Sequence, residues 1–244
     1  MNNNLITIKK AAEVLNVSTQ TLRRWDKSGR LVSVRGKNNY RYYKKEDVEK
    51  YIKNNEKDIF KIARNWALSN NAVAPQPDFY CMDASVFQAR LGRLKNDLSR
   101  IKKLKEIYFL IVAVTGEIGD NSFAHNLGNW PDIKGIFFAY DSNRKKIALA
   151  DRGQGILKTL KKVKPELNNH LDALKTGFTE IISGRSPESR GNGLKYVREV
   201  IINNDIDLFF QTGDAELKIK KGDSDLNIKK SSTSFHGCFA LIQF

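Results

Sequence analysis

The sequence predicts an α+β protein of two domains, and three observations carry that prediction. The N-terminal stretch through Ile52 reads as two short helices, a strand pair and a third short helix. In the middle, "NNAVAPQPDF" breaks all periodicity with two prolines among small and polar residues. Beyond it an apolar strand-like run, "IALADRGQGI", stops on an aspartate and passes at once into two glycines one residue apart. With 244 residues, 41% of them hydrophobic, the chain can build one medium domain and one small one.

Charge narrows the partners. Forty-two Lys/Arg against 27 Asp/Glu leave +15, which favours a polyanion, either nucleic acid or an anionic membrane surface. The longest apolar run, "IYFLIVAVTGEI", is too short to span a bilayer, and "MNNNLITIKK" has no signal-peptide pattern, so a cytoplasmic protein without a membrane partner is expected. Cys81 and Cys238 are isolated, which excludes a disulfide framework and a readable zinc site. Residues 1–58 carry 14 Lys/Arg and 7 Asp/Glu, +7 in under a quarter of the chain. Double-stranded DNA is therefore the expected partner of the N-terminal end.

In "LITIKKAAEVLNVSTQTLRRWDKSGRL" Thr7 can cap a helix whose inner face is Ala11, Ala12, Val14 and Leu15, and Asn16 ends it. Ser18 or Thr19 caps a second helix with Leu22 and Trp25 inward, and Gly29 stops it. "LVSVRGKNNYRYY" reads as a hairpin and "KKEDVEKYI" as a closing helix. Over residues 5–53, the order of "TLRRW", a small-residue turn and an "R-x-Y" wing resembles the winged helix-turn-helix of the MerR and phage excisionase group. The resemblance implies a DNA-binding domain over 1–58. In it Thr19, Thr21, Arg23 and Arg24 face the major groove from the second helix, and Arg41 and Tyr42 lie on the phosphates.

Residues 59–83 are expected to be a linker. A helix follows over 84–105, in which Phe87, Leu91, Leu94, Leu98 and Ile101 are spaced four and three. Such a seam would pair with a second copy of the chain, making a homodimer, or dock on its own domain. The next helix, "KEIYFLIVAVTGEIGDNSFAHN", places Glu117 and Asn121 on one face. Two strands, "GIFFAYD" and "KIALAD", lead to Asp151. A glycine loop then opens into the helix of "ESRGNGLKYVREVI", and "FHGCFALIQF" is a last strand.

These four pieces, in this order, resemble the nucleotide-binding boxes of the gyrase, MutL, histidine kinase and anti-sigma-factor kinase superfamily. The resemblance implies a Bergerat-type two-layer α/β sandwich over 84–244, with the nucleotide between helices and a mixed sheet, and ATP and Mg2+ as cofactors. Asp151 would accept from the adenine amino group, beside the open wall of Gly153, Gly155 and Ile156. Asn121 would hold magnesium and Glu117 would act as the catalytic base. Gly191, Gly193 and Leu194 would bring the helix start to the phosphates, and Gly237 matches the last box, where Cys238 replaces the usual threonine. Arg185 and Arg190 would either clamp the γ-phosphate from a lid or be solvated loop charges. Three functions follow: a DNA-binding transcriptional regulator that senses or hydrolyses ATP, a serine kinase acting on a partner protein, or an ATP-gated module of a mobile-element or defence system.

Overall fold

A computed structural model describes residues 4–15, 17–36, 39–55, 59–71, 73–182 and 192–244. The chain divides into two compact units, Met1–Asp58 and Ile59–Phe244. In the first, β1 (Leu5–Thr7) leads into α1 (Ile8–Leu15), followed by α2 (Thr19–Lys27), β2 (Val34–Arg35), β3 (Arg41–Lys44) and α3 (Lys45–Asn55). Thr7 Oγ1 accepts from Lys10 N at 3.3 Å, and Ser18 Oγ caps α2 by accepting from Thr21 N at 3.0 Å. Gly29, at φ +73°, reverses the chain after α2. Ala11, Ala12, Leu22, Leu31, Tyr43 and Val48 form the core. Val14, expected inward, is 41% exposed, because α1 centres its buried stripe on Ala11 and Ala12. The sequence reading lacked β1, which makes the hairpin a three-stranded antiparallel sheet in the order β1-β3-β2.

The second unit begins with α4 (Ile59–Leu68) and a two-residue strand β4 (Tyr80–Cys81), inside the stretch expected as a linker. Then come α5 (Ala84–Ser99), α6 (Tyr108–Asn126), β5 (Ile136–Asp141), β6 (Lys146–Asp151), α7 (Gly155–Leu160), α8 (His170–Thr179), α9 (Gly193–Asn203), β7 (Asp207–Ile219) and β8 (Asn227–Gln243). The sheet order is β4-β5-β6-β8-β7 and every pairing is antiparallel, where the resemblance implied a mixed sheet.

Alternation along the central strands divides the core in two. Ile136, Phe138, Ile147 and Leu149 join α5, α6, α8 and α9 on one face. Phe137, Ala139, Ala148 and Ala150 turn to the other, where Ala63 and Ala67 of α4 meet them together with Phe235 and Phe239. A sheet covered on both faces reads as continuous apolar runs, which is what "GIFFAYD" and "KIALAD" are. Helix α4 therefore adds a third layer to the expected two-layer sandwich. Alanines on helix and sheet allow the close approach.

Helix α5 stops at Ser99, short of the expected Lys105, and a 3-10 turn at Lys102–Leu104 follows. Its seam is used internally. A Cβ on Gly119 of α6 would lie 2.1 Å from the Phe87 ring, and one on Gly116 would lie 3.2 Å from Leu91. The glycines are notches that receive the seam, so Phe87, Leu91, Leu94 and Leu98 are buried in their own domain rather than offered to a second copy.

Candidate functional site

The second unit holds a cleft between α6 and the loop after β6, closed at its far end by the start of α9. The cleft is partly open to solvent. Six of the sequence-selected residues line it: Asn121, Asp151, Gly155, Ile156, Gly193 and Leu194. Asp151 ends β6 at 2% exposure. Its Oδ2 accepts from Ser122 Oγ at 2.8 Å, and its Oδ1 accepts from Gly153 N at 2.8 Å and from Asn126 Nδ2 at 3.5 Å. Burial lifts this carboxyl to about 6, against the pull of the Ser122, Gly153, Cys238 and Asn126 hydrogen bonds.

The glycines are required by close approach. At Gly155, φ is +72° and a Cβ would stand 2.7 Å from the His236 carbonyl oxygen. A Cβ on Gly237 would strike Asp151, and one on Gly153 would strike the Asn126 amide. On the opposite wall a Cβ on Gly193 would lie 2.7 Å from Glu117 Oε2 and 3.2 Å from Asn121 Nδ2. The start of α9 is thus packed against the two polar side chains of α6. Asn192, at the N-cap of α9, makes no side-chain capping bond, so the first-turn amides keep the anion-binding character of a helix N-terminus. Glu117 is half-buried one turn before Asn121 and does not line the cleft. Arg185, Arg190 and Gly191 lie outside the described residues.

Several residues here escaped sequence reasoning. Thr212 of β7 lies beside Cys238: its Oγ1 accepts from Ile156 N at 3.2 Å and donates to Gly237 O at 3.1 Å. Cys238 Sγ lies 3.7 Å from it, and burial pushes that thiol up, away from thiolate. Arg152, 3% exposed, turns away from the cleft: its Nε and Nη2 bind Asp132 Oδ2 at 2.8 and 2.6 Å, and Nη1 binds the carbonyls of Trp66 and Ala67 at 2.9 and 3.1 Å. The residue after Asp151 thereby caps the last turn of α4. Nothing in the local sequence marks these partners, since they arrive from elements far along the chain. Among the described residues no group of three or more His, Cys, Asp or Glu could hold a metal ion.

In the first unit the candidate nucleic-acid surface is carried by α2. Arg23 and Arg24 are exposed, while Thr19 and Thr21 are half-buried at its start, with Thr21 Oγ1 2.9 Å from Ser18 Oγ. The strand pair is tied to this helix through Asp26, a residue that sequence reading passed over. Asp26 Oδ2 accepts from Arg41 Nε at 2.7 Å and lies 3.5 Å from an Arg35 nitrogen, and Oδ1 accepts from Ser33 N at 2.8 Å. Burial would raise this carboxyl, but the Arg41 and Ser33 hydrogen bonds outweigh it and hold it below the usual aspartate range. Arg41 is thus engaged within the fold, and Tyr42 is half-buried with its ring edge against Gly36. Tyr43 closes the arrangement by donating to Leu22 O at 3.1 Å.

Residues 7–43 match the MerR family regulatory protein model. This MerR-type helix-turn-helix makes the N-terminal unit a DNA-binding one. Its matched span runs from the cap of α1 through α2 and both strands of the wing to Tyr43, the segment that Asp26 and Tyr43 hold together. A 70-residue stretch is also 44% identical to the type II methyltransferase M.Eco47II of Escherichia coli, covering 27% of this chain and 16% of that protein. The chain therefore spans a small part of that relative. Among the described residues no helix is long and apolar enough to cross a membrane.

Proposed function

We propose that the protein is a DNA-bound regulator whose second unit binds adenine nucleotide with magnesium in the cleft beside Asp151. One observation carries the reading. A buried carboxylate, ringed by donors, shares a single cleft with the start of a helix packed on Asn121, although the three are far apart in sequence. A carboxylate offers about four lone-pair sites and Asp151 already faces four donors, but the Asn126 Nδ2 contact is long at 3.5 Å, and an exocyclic amine would use the acceptor capacity that this weak contact leaves. That capacity separates adenine from guanine, which carries a carbonyl at the corresponding position. Asn121 supplies an amide oxygen suited to a hard cation, and the α9 N-terminus suits phosphate. Magnesium, when bound, would offset the charge of the phosphates. Glu117, one turn from Asn121 and against Gly193 at the edge of the cleft, would take a proton from an attacking hydroxyl.

The test is thermal unfolding of the full chain with magnesium and either ATP or GTP. ATP at about 100 times its dissociation constant should stabilise the second unit by about 2.7 kcal/mol, GTP should not, and Asp151→Asn should abolish the shift. Equal stabilisation by the two nucleotides would remove the base assignment.

A further inference from the structure

The residue that sets the geometry of the cleft floor is Asn126, to which the resemblance described above assigns no role. It is the last residue of α6, the helix that carries Glu117 and Asn121, and it is 3% exposed. Its Nδ2 donates to Ser122 O at 2.8 Å and lies 3.5 Å from Asp151 Oδ1, while its Oδ1 accepts from Gln154 N at 2.7 Å. Gln154 Nε2 in turn donates to the His125 carbonyl at 3.0 Å. The loop after β6 is therefore welded to the end of α6 at two points. Gly153 lies so close that any Cβ there would overlap the Asn126 amide, 2.0 Å from its nitrogen. One amide thus reaches both walls of the cleft: the helix that carries Asn121 and the loop that follows Asp151.

Resting on the adenine reading above, we infer that Asn126 is a positioning residue for base recognition: it locks the loop against α6 and directs an N–H toward Asp151, holding that carboxylate as an ionised acceptor. The groups facing Asp151 leave this work to hydrogen bonds. From α6 come Ser122 and Asn126, with His125 lining the same cleft. The loop contributes Gly153 N, and β8 contributes Cys238, whose buried thiol stays neutral. The neighbouring cation, Arg152, is bound instead to Asp132 and the end of α4. Replacing the amide by a carboxylate would put like charge 3.5 Å from Asp151 Oδ1, so the two groups would share a proton at neutral pH and the acceptor would be lost.

The experiment is calorimetric titration of the full chain with Mg-ATP and, separately, with magnesium and inorganic tripolyphosphate, between pH 5 and 8. In the wild type ATP affinity should fall on acidification with a midpoint at about 6, following Asp151. Asn126→Asp should move that midpoint up by about one unit or more and leave tripolyphosphate affinity unchanged. Asn126→Ala, which introduces no charge, should also raise the midpoint and should weaken ATP about tenfold at pH 7. If the wild type binds ATP and neither variant moves the midpoint, the inference falls alone. Loss of ATP and tripolyphosphate affinity together in both variants would make Asn126 merely structural and would also overturn it. If the wild type binds no ATP, the adenine reading fails and takes the inference with it.

Discussion

Two aspartates, one in each unit, respond to pH in opposite directions. Asp151 holds its proton up to about pH 6, against an ordinary value of 3.8, because burial outweighs the donors around it. Its stabilising contribution is therefore complete below the ordinary aspartate range and is lost as pH rises through about 6. A shift of about two units corresponds to roughly 3 kcal/mol at neutral pH. Asp151→Asn should accordingly raise the melting temperature of the nucleotide-free protein at pH 7, and the gain should shrink toward zero at pH 4. An unchanged melting temperature at pH 7 would mean that the donors fully offset the cost of burial. Asp26 is the reverse case. Its carboxyl is held low, so its contribution is present above the ordinary range and is lost as pH falls below it. Asp26→Asn should cost on the order of 2 kcal/mol, the scale of a hydrogen bond to a charged group. Hydrogen exchange should rise across residues 19–44 while the second unit keeps its protection. Faster exchange in both units, or in neither, would contradict this local role.

Among the elements, α5 and α6 show how a repeat acquires its partner. The seam of Phe87, Leu91, Leu94 and Leu98 satisfies a heptad pattern that suits a second chain as well as its own. What chooses is Gly116 and Gly119, one helix later, where absent side chains admit the seam. Gly119→Ala should therefore destabilise the protein by about 1–3 kcal/mol, since the new methyl meets a buried ring. Gly92→Ala on α5 is the internal control: its Cβ meets nothing within 4 Å, and helix propensity should make it neutral or stabilising by up to about 1 kcal/mol. Denaturant titration of both variants separates these outcomes, and equal effects would mean that the notch is not what seats α5. Helix α4 makes the same point. Its apolar positions include Ile59, Phe60, Ile62, Trp66 and Leu68 beside the buried Ala63 and Ala67, and its place is set by the alanine-lined sheet face and by Arg152 at its last turn.

For the whole molecule, a basic MerR-type unit and a cleft-bearing unit are carried on one chain. Binding of the full protein to duplex DNA should weaken steeply with salt, and Arg23→Ala and Arg24→Ala should each cost about 1–3 kcal/mol at a specific site if the arginines pair with guanine. Equal affinity for wild type and both variants at moderate salt would clear α2 of base contact. Much of this organisation was determined by the sequence alone. Local rules act within a few residues, so the caps at Thr7 and Ser18, the stop at Gly29, the central strands and the order Asn121, Asp151, Gly193, Gly237 could all be read directly from the chain. Tertiary structure decided what depends on partners distant along the chain. Arg41, which the winged-helix resemblance puts on the phosphates, is held by Asp26, 15 residues earlier. The expected linker became a third layer because the sheet presents alanines to α4. Asn126 acquired its role only when Gln154 and Asp151 folded back onto the end of α6. Hydrogen bonds and close packing across such separations leave no periodicity in the sequence, because their geometry exists only once the distant elements have met.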